Sequence, residues 1–136
     1  MPSSSRAVRR SLERERGSAA VEFALVLPLL LIVTLGLVQV GLLARDQLLV
    51  VQASRAGARE AAINPDSSAA RNAAVRSAGG LDGSRMVVTV SVGSALGEPV
   101  TVAVSYEAPV SVPLLEWLFP PSVSLSTSVT DRREYA

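Results

Sequence analysis

Acid–base chemistry in this chain could come only from carboxylates. The 136 residues include no cysteine, histidine or lysine. That removes the thiol nucleophile and the thiolate metal site, the usual general base, and Schiff-base or Ser-Lys catalysis. Glu98, Glu107 and Glu116 are the acids available for a catalytic pair. Glu98 and Glu107 fall near opposite ends of one predicted strand and Glu116 in an apolar connection, so no convergence is expected. The residue types suggest no metal and no cofactor, and the chain is not expected to be an enzyme. One acid stands apart. Glu22 sits inside ERGSAAVEFALVLPLLL (15–31), which otherwise reads as the start of a membrane span. A carboxylate at the bilayer centre costs about 2.5–3.5 kcal/mol, less near the boundary, and usually marks function.

The element that carries Glu22 is legible from composition. Phe23 to Ala44 is a run of 22 residues without a charge, in which Thr34 and Gln39 are the only polar side chains. As a helix it is roughly 33 Å long, enough to cross a hydrocarbon core of about 30 Å. Ahead of it, Arg6, Arg9, Arg10, Arg14 and Arg16 outweigh Glu13 and Glu15, for a net of +3, whereas residues 18–136 carry a net of −2. This bias predicts a single-pass protein with a cytoplasmic N-terminus and an exported C-terminal part. A secretory signal would have a shorter apolar region of 7–15 residues; Val40 to Ala44 offers only a weak cleavage site for that alternative. Residues 1–16 are Ser- and Arg-rich and are expected to form a disordered leader. The whole-chain charge of +1 gives no reason to expect a nucleic-acid partner.

Beyond the span, residues 45–63 keep a helical period. Gln52, Arg55 and Arg59 make a polar stripe; Val50, Ala53, Gly57 and Ala61 make a stripe of mostly small residues on another side. Asn64-Pro65-Asp66 ends that helix, and a short alanine-rich helix is expected over 67–78. The period then changes to two. MVVTVSV (86–92), VTVAVSY (100–106) and SVSLSTSVT (122–130) each alternate an apolar with a polar side, as half-buried antiparallel strands do. Three short strands cannot bury an apolar face alone, so they should pack on the small-residue stripe. PLLEWLFPP (113–121) joins the last two strands; Leu115, Trp117, Leu118 and Phe119 within it either cover the end of the sheet or contact a partner. The expected fold is α+β: a single N-terminal transmembrane helix continuing into an amphipathic helix, with a small three-stranded antiparallel sheet as head. The expected divisions are a leader (1–17), a transmembrane helix (18–44), a helical stem (45–78) and a β head (79–136).

The order of basic leader, Gly17, four small or apolar residues, Glu22, Phe23 and an apolar run resembles the processing site of type IV pilins and pseudopilins. The form Gly-x-x-x-x-Glu-Phe is that of the Flp (tight-adherence, Tad) branch. Residues 16–33 nearly reproduce the TadE-like pseudopilin segment RGSAAVEFALVLPLLLLIV. Residues 99–130 resemble the later PVTVAVSY-type strand, Pro-Leu-Leu stretch and Ser/Thr-rich strand of the same family. The resemblance, over about 16–130, implies cleavage between Gly17 and Ser18 by a membrane prepilin peptidase. It implies that Glu22 pairs with the new α-ammonium of Ser18 on a neighbouring subunit, with Phe23 part of the recognition motif. Partners implied are the peptidase, other pilins or pseudopilins, and the assembly platform, all at the bacterial cytoplasmic membrane; no small-molecule substrate is implied. Major Flp pilins are little more than the helix, so a chain with a substantial head resembles a minor pseudopilin acting in assembly or initiation. The alternative is a signal-anchored exported binding or adhesion domain that is not processed. Pro28 removes one helix hydrogen bond and is either a tolerated membrane proline or a kink that helps the helix leave the bilayer.

Overall fold

The computed structural model describes residues 4–93, 97–111 and 120–134, with side chains from residue 17 onward. Helices α1 (Ser4–Ile63) and α2 (Ser67–Ser77) and a 3-10 turn (Gly83–Arg85) precede strands β1 (Met86–Val92), β2 (Pro99–Pro109) and β3 (Ser122–Arg132). Two compact units result, Met1–Val38 and Gln39–Ala136.

The first unit is helical from Ser4. A disordered leader was the expectation, and the difference has a simple cause. Arginine, glutamate, alanine and leucine are good helix formers, and a helix already nucleated downstream extends at the low cost of propagation. Every residue described with side chains from 17 to 31 is exposed, Phe23 at 62% and Leu25 at 75%. Leaving such side chains in water would forgo roughly 1.5–3 kcal/mol each. The helix is long and apolar enough to cross a membrane, with none of its apolar window buried inside the protein. Thr34 satisfies its hydroxyl locally by donating to the Leu30 carbonyl at 2.8 Å, so it does not break the apolar surface.

In the second unit, α1 lies on an antiparallel sheet of order β1-β2-β3. The predicted stripe is the packing face: Val50 and Ala53 are fully buried and Ala61 nearly so, while Gln52, Arg55 and Arg59 face outward. β2 is the central strand and supplies the core, with Val100, Val102, Val104, Tyr106 and Ala108 all buried. Its register places Val88 opposite Val104 on one side and Thr127 opposite Val104 on the other. The observed β2 and β3 run a few residues beyond the predicted strands, because pairing continues through Pro109↔Ser122 and Pro99↔Arg132.

Three local devices hold the turns. Asp66 caps α2, accepting from the Ser68 N–H at 2.8 Å and the Ser68 hydroxyl at 2.7 Å. The Ser68 hydroxyl and then its N–H hold the Asp66 carboxyl below the usual aspartate range. Gly80, after α2, has φ of +106°, which disfavours any residue with a Cβ. The Ala62 carbonyl, orphaned at the end of α1, accepts from the Glu134 N–H at 3.1 Å and so ties the end of the chain to the helix.

Gly57 sets the distance between α1 and the sheet. A Cβ there would stand 3.0 Å from Val102 Cγ1, 3.2 Å from Ala74 Cβ and 3.3 Å from the Ala70 carbonyl. Gly57→Val is therefore expected to force α1 away from both β2 and α2 and to destabilise the head by about 1–3 kcal/mol. The check is the urea midpoint of the full chain in detergent, which should fall; an unchanged midpoint contradicts the packing described here.

Candidate processing and assembly site

Gly17, Ser18, Glu22, Phe23 and Pro28 all lie on the first unit's stretch of α1. Helical spacing puts Ser18 and Glu22, four residues apart, on one face. The Ser18 hydroxyl donates to Glu22 Oε1 at 3.4 Å, a long and weak contact. Both side chains are exposed. Neither the Arg45–Asp46 nor the Arg85–Asp82 ion pair involves Glu22. Among the described residues, the acid stands at the head of an apolar surface with the Ser18 hydroxyl as its hydrogen-bond partner.

Gly17 lies inside the helix although glycine is about 0.8–1.0 kcal/mol worse than alanine there. Nothing stands within 4 Å of a Cβ added at that position, so packing within the chain does not explain the residue. Gly36 and Gly41 are equally open; what distinguishes Gly17 is its place five residues before Glu22, where the polar leader meets the apolar run. Glycine lowers the cost of unwinding the helix locally and removes side-chain bulk from the backbone. α1 continues through Pro28, which cannot donate the N–H that an α-helix would direct to Ala24.

Among the described residues, the alternative acids do not assemble. Glu98 precedes β2 and Glu107 lies near its other end, opposite Ser124; nine extended residues separate them by roughly 30 Å. Glu107 accepts a hydrogen bond from the Ser122 hydroxyl at 3.1 Å. Glu116 lies outside the described residues, as do Leu115, Trp117, Leu118 and Phe119. A groove on the stem is lined by Gln52, Arg55, Arg59, Glu60, Ile63 and Ser77. Its two arginines and lone acid, itself bonded to Asn64 at 3.2 Å, make no acid–base pair suited to proton transfer.

No curated protein and no solved structure is significantly similar to the chain. A family model does match: residues 17–59 fit the family described as TadE-like protein. The matched segment begins at Gly17, includes Glu22, Phe23 and Pro28, and ends at Arg59, within the part of α1 that lies on the sheet. The motif, the apolar helix and the family match all fall on the same stretch of chain, and it is this stretch, residues 17–59, that is similar to TadE-like proteins.

Proposed function

We propose that this chain is a minor pseudopilin of a Flp/Tad-type pilus, cut between Gly17 and Ser18 by a prepilin peptidase and acting in pilus assembly or initiation. The observation that carries the reading is the coincidence of Gly17, Glu22 and an unburied apolar helix within the family-matched segment. Before cleavage the net +3 leader holds the N-terminus on the cytoplasmic side. Cleavage removes that charge and leaves Ser18 as the first residue of the helix. The N–H groups of Ser18, Ala19, Ala20 and Val21 then lose their helical partners, and a positive α-ammonium joins the positive end of the helix dipole.

Glu22 is the nearest acid to this new cation. In a filament or priming complex packed from such helices, the carboxylate of one subunit neutralises the ammonium of the next. Unpaired burial of either would cost several kcal/mol, so the pair fixes the axial register between subunits. Pro28 supplies a point at which the helix bends as it leaves the bilayer. The head stays on the extracytoplasmic side, and the apolar connection containing Trp117 is a contact surface for another pilin.

The reading is tested at the level of the pilus. Deleting the chain from its own cells should abolish or strongly reduce Flp-type pili seen by electron microscopy, and the intact chain supplied in trans should restore them. Undiminished piliation in the deletion strain would remove the assembly role.

A further inference from the structure

β3 is an open edge with an incompletely covered underside. On β2 the inward residues Val100, Val102 and Val104 are fully or almost fully buried, but Val123, Leu125, Thr127 and Val129 of β3 are only half-buried. The helices account for the difference: α1 meets β2 through Gly57 and Val102, and α2 packs beside β1. Leu125 and Val129 still touch the edge of that core. The hydrogen-bonding side of the edge is also fixed. The Val110 N–H donates to the Pro121 carbonyl at 3.1 Å and the Arg133 N–H to the Glu98 carbonyl at 3.2 Å. On the continuous register between them, odd-numbered residues of β3 turn their N–H and C=O toward β2. The even-numbered residues Ser122 to Arg132 therefore direct theirs outward. A row of backbone groups that no other described strand pairs, over a half-buried apolar face, is a template for an added strand.

We infer that the strand is β1 of a second copy of this chain, lying in the same sense, so that heads join head to tail in one continuous sheet. Orientation selects this arrangement. β3 ends beside Ala62 at the end of α1, and the turn at Gly80, just ahead of β1, approaches Arg45 and Leu49; β3 thus runs in the same sense as the stem of α1. Pairing two β3 edges antiparallel would run the two stems in opposite senses. Two chains held in one bilayer, as the function proposed above requires, cannot do that. β1 runs parallel to β3 within each head, so a β3–β1 joint keeps every stem in the same sense. It also brings α2 of the second copy, with Val75 exposed, toward the underside that β3 leaves bare. The charges agree. Arg85 at the start of β1 is half-exposed, and in the second copy it comes to the end of β3 where Glu107 stands exposed beside Ser122. Such a heterologous contact does not close on itself and propagates along a filament.

Because the chain has no cysteine, the joint can be trapped by disulfides. Thr89→Cys is combined in one full-length chain with Ser124→Cys, Ser126→Cys or Ser128→Cys, and the cells are oxidised. Within a single head β2 separates the two cysteines by two strand spacings, roughly 9.5 Å, beyond the reach of a disulfide. The expected result is a ladder of dimers and larger multimers from at least one pair, several-fold above a Ser68→Cys collision control. Glu107→Arg should weaken the ladder, and adding Arg85→Glu should restore it. No ladder from any pair, a Ser126→Cys dimer as strong as those of the paired variants, or indifference to Glu107→Arg would overturn the inference. The N-terminus of the same samples separates the two proposals. A missing ladder from processed chains rejects the joint alone, and a ladder from unprocessed chains rejects the processed-pseudopilin reading alone.

Discussion

Gly17→Val is expected to leave the chain full length in cells that process the native protein. The substitution adds bulk at a position where an added Cβ meets nothing within 4 Å, so the fold should tolerate it; in helix propensity valine is in fact better than glycine. The effect should fall on the peptidase reaction. A scissile bond inside a helix must be opened before hydrolysis, and a β-branched residue both stiffens the local backbone and crowds the cleft. The measurement is the intact mass of the membrane-extracted variant beside the native chain. Retention of residues 1–17 in nearly all molecules is the expected outcome, whereas processing equal to native would show that glycine is not required.

Glu22→Gln tests the other half of the site. Glutamine keeps the shape and removes the charge, so membrane insertion should be intact or slightly improved. Incorporation into the assembly should suffer, because the α-ammonium of the neighbouring Ser18 is then buried without a counter-charge. Breaking such a pair by removing one partner costs about 3–5 kcal/mol, a loss of incorporation of more than roughly a hundredfold. The weak 3.4 Å contact with the Ser18 hydroxyl is a minor loss by comparison. Quantifying the chain in sheared pili against the membrane fraction decides the matter; equal incorporation of Glu22→Gln and native chain would remove the register role. Glu22→Asp retains the charge on a shorter arm and should fall between the two.

Much of this architecture follows from side-chain periodicity. The alternation in MVVTVSV, VTVAVSY and SVSLSTSVT gives three strands and, apart from Val92, which is exposed at the end of β1, the inward residues, because a period of two leaves little freedom over which side is buried. The stripe of Val50, Ala53, Gly57 and Ala61 identifies the packing face of α1, since only small residues allow the approach that Gly57 makes to Val102. Other features are not encoded so locally. Alternation says that β3 has an apolar side but not whether a helix lies beneath it; that depends on where α1 and α2 settle, over β2 and beside β1. The helical leader was missed because its charge and serine content suggest disorder, whereas its helix is extended from a neighbour already formed. Gln39 belongs to the apolar run by composition, yet it groups with the head and is buried there with its amide oxygen unpartnered. The site proposed at Gly17 and Glu22 stands out in the sequence for the opposite reason: each residue is out of place in its surroundings, a glycine in a helix and an acid in an apolar run.

The proposed role depends on the creation of a positive charge at Ser18 within one helical turn of Glu22. The most direct test is N-terminal sequencing of the chain recovered from membranes of cells with and without a functional prepilin peptidase. The predicted result is Ser18 as the first residue when the peptidase is present and the full arginine-rich leader when it is absent. A chain that still carries residues 1–17 in peptidase-proficient cells would contradict the account.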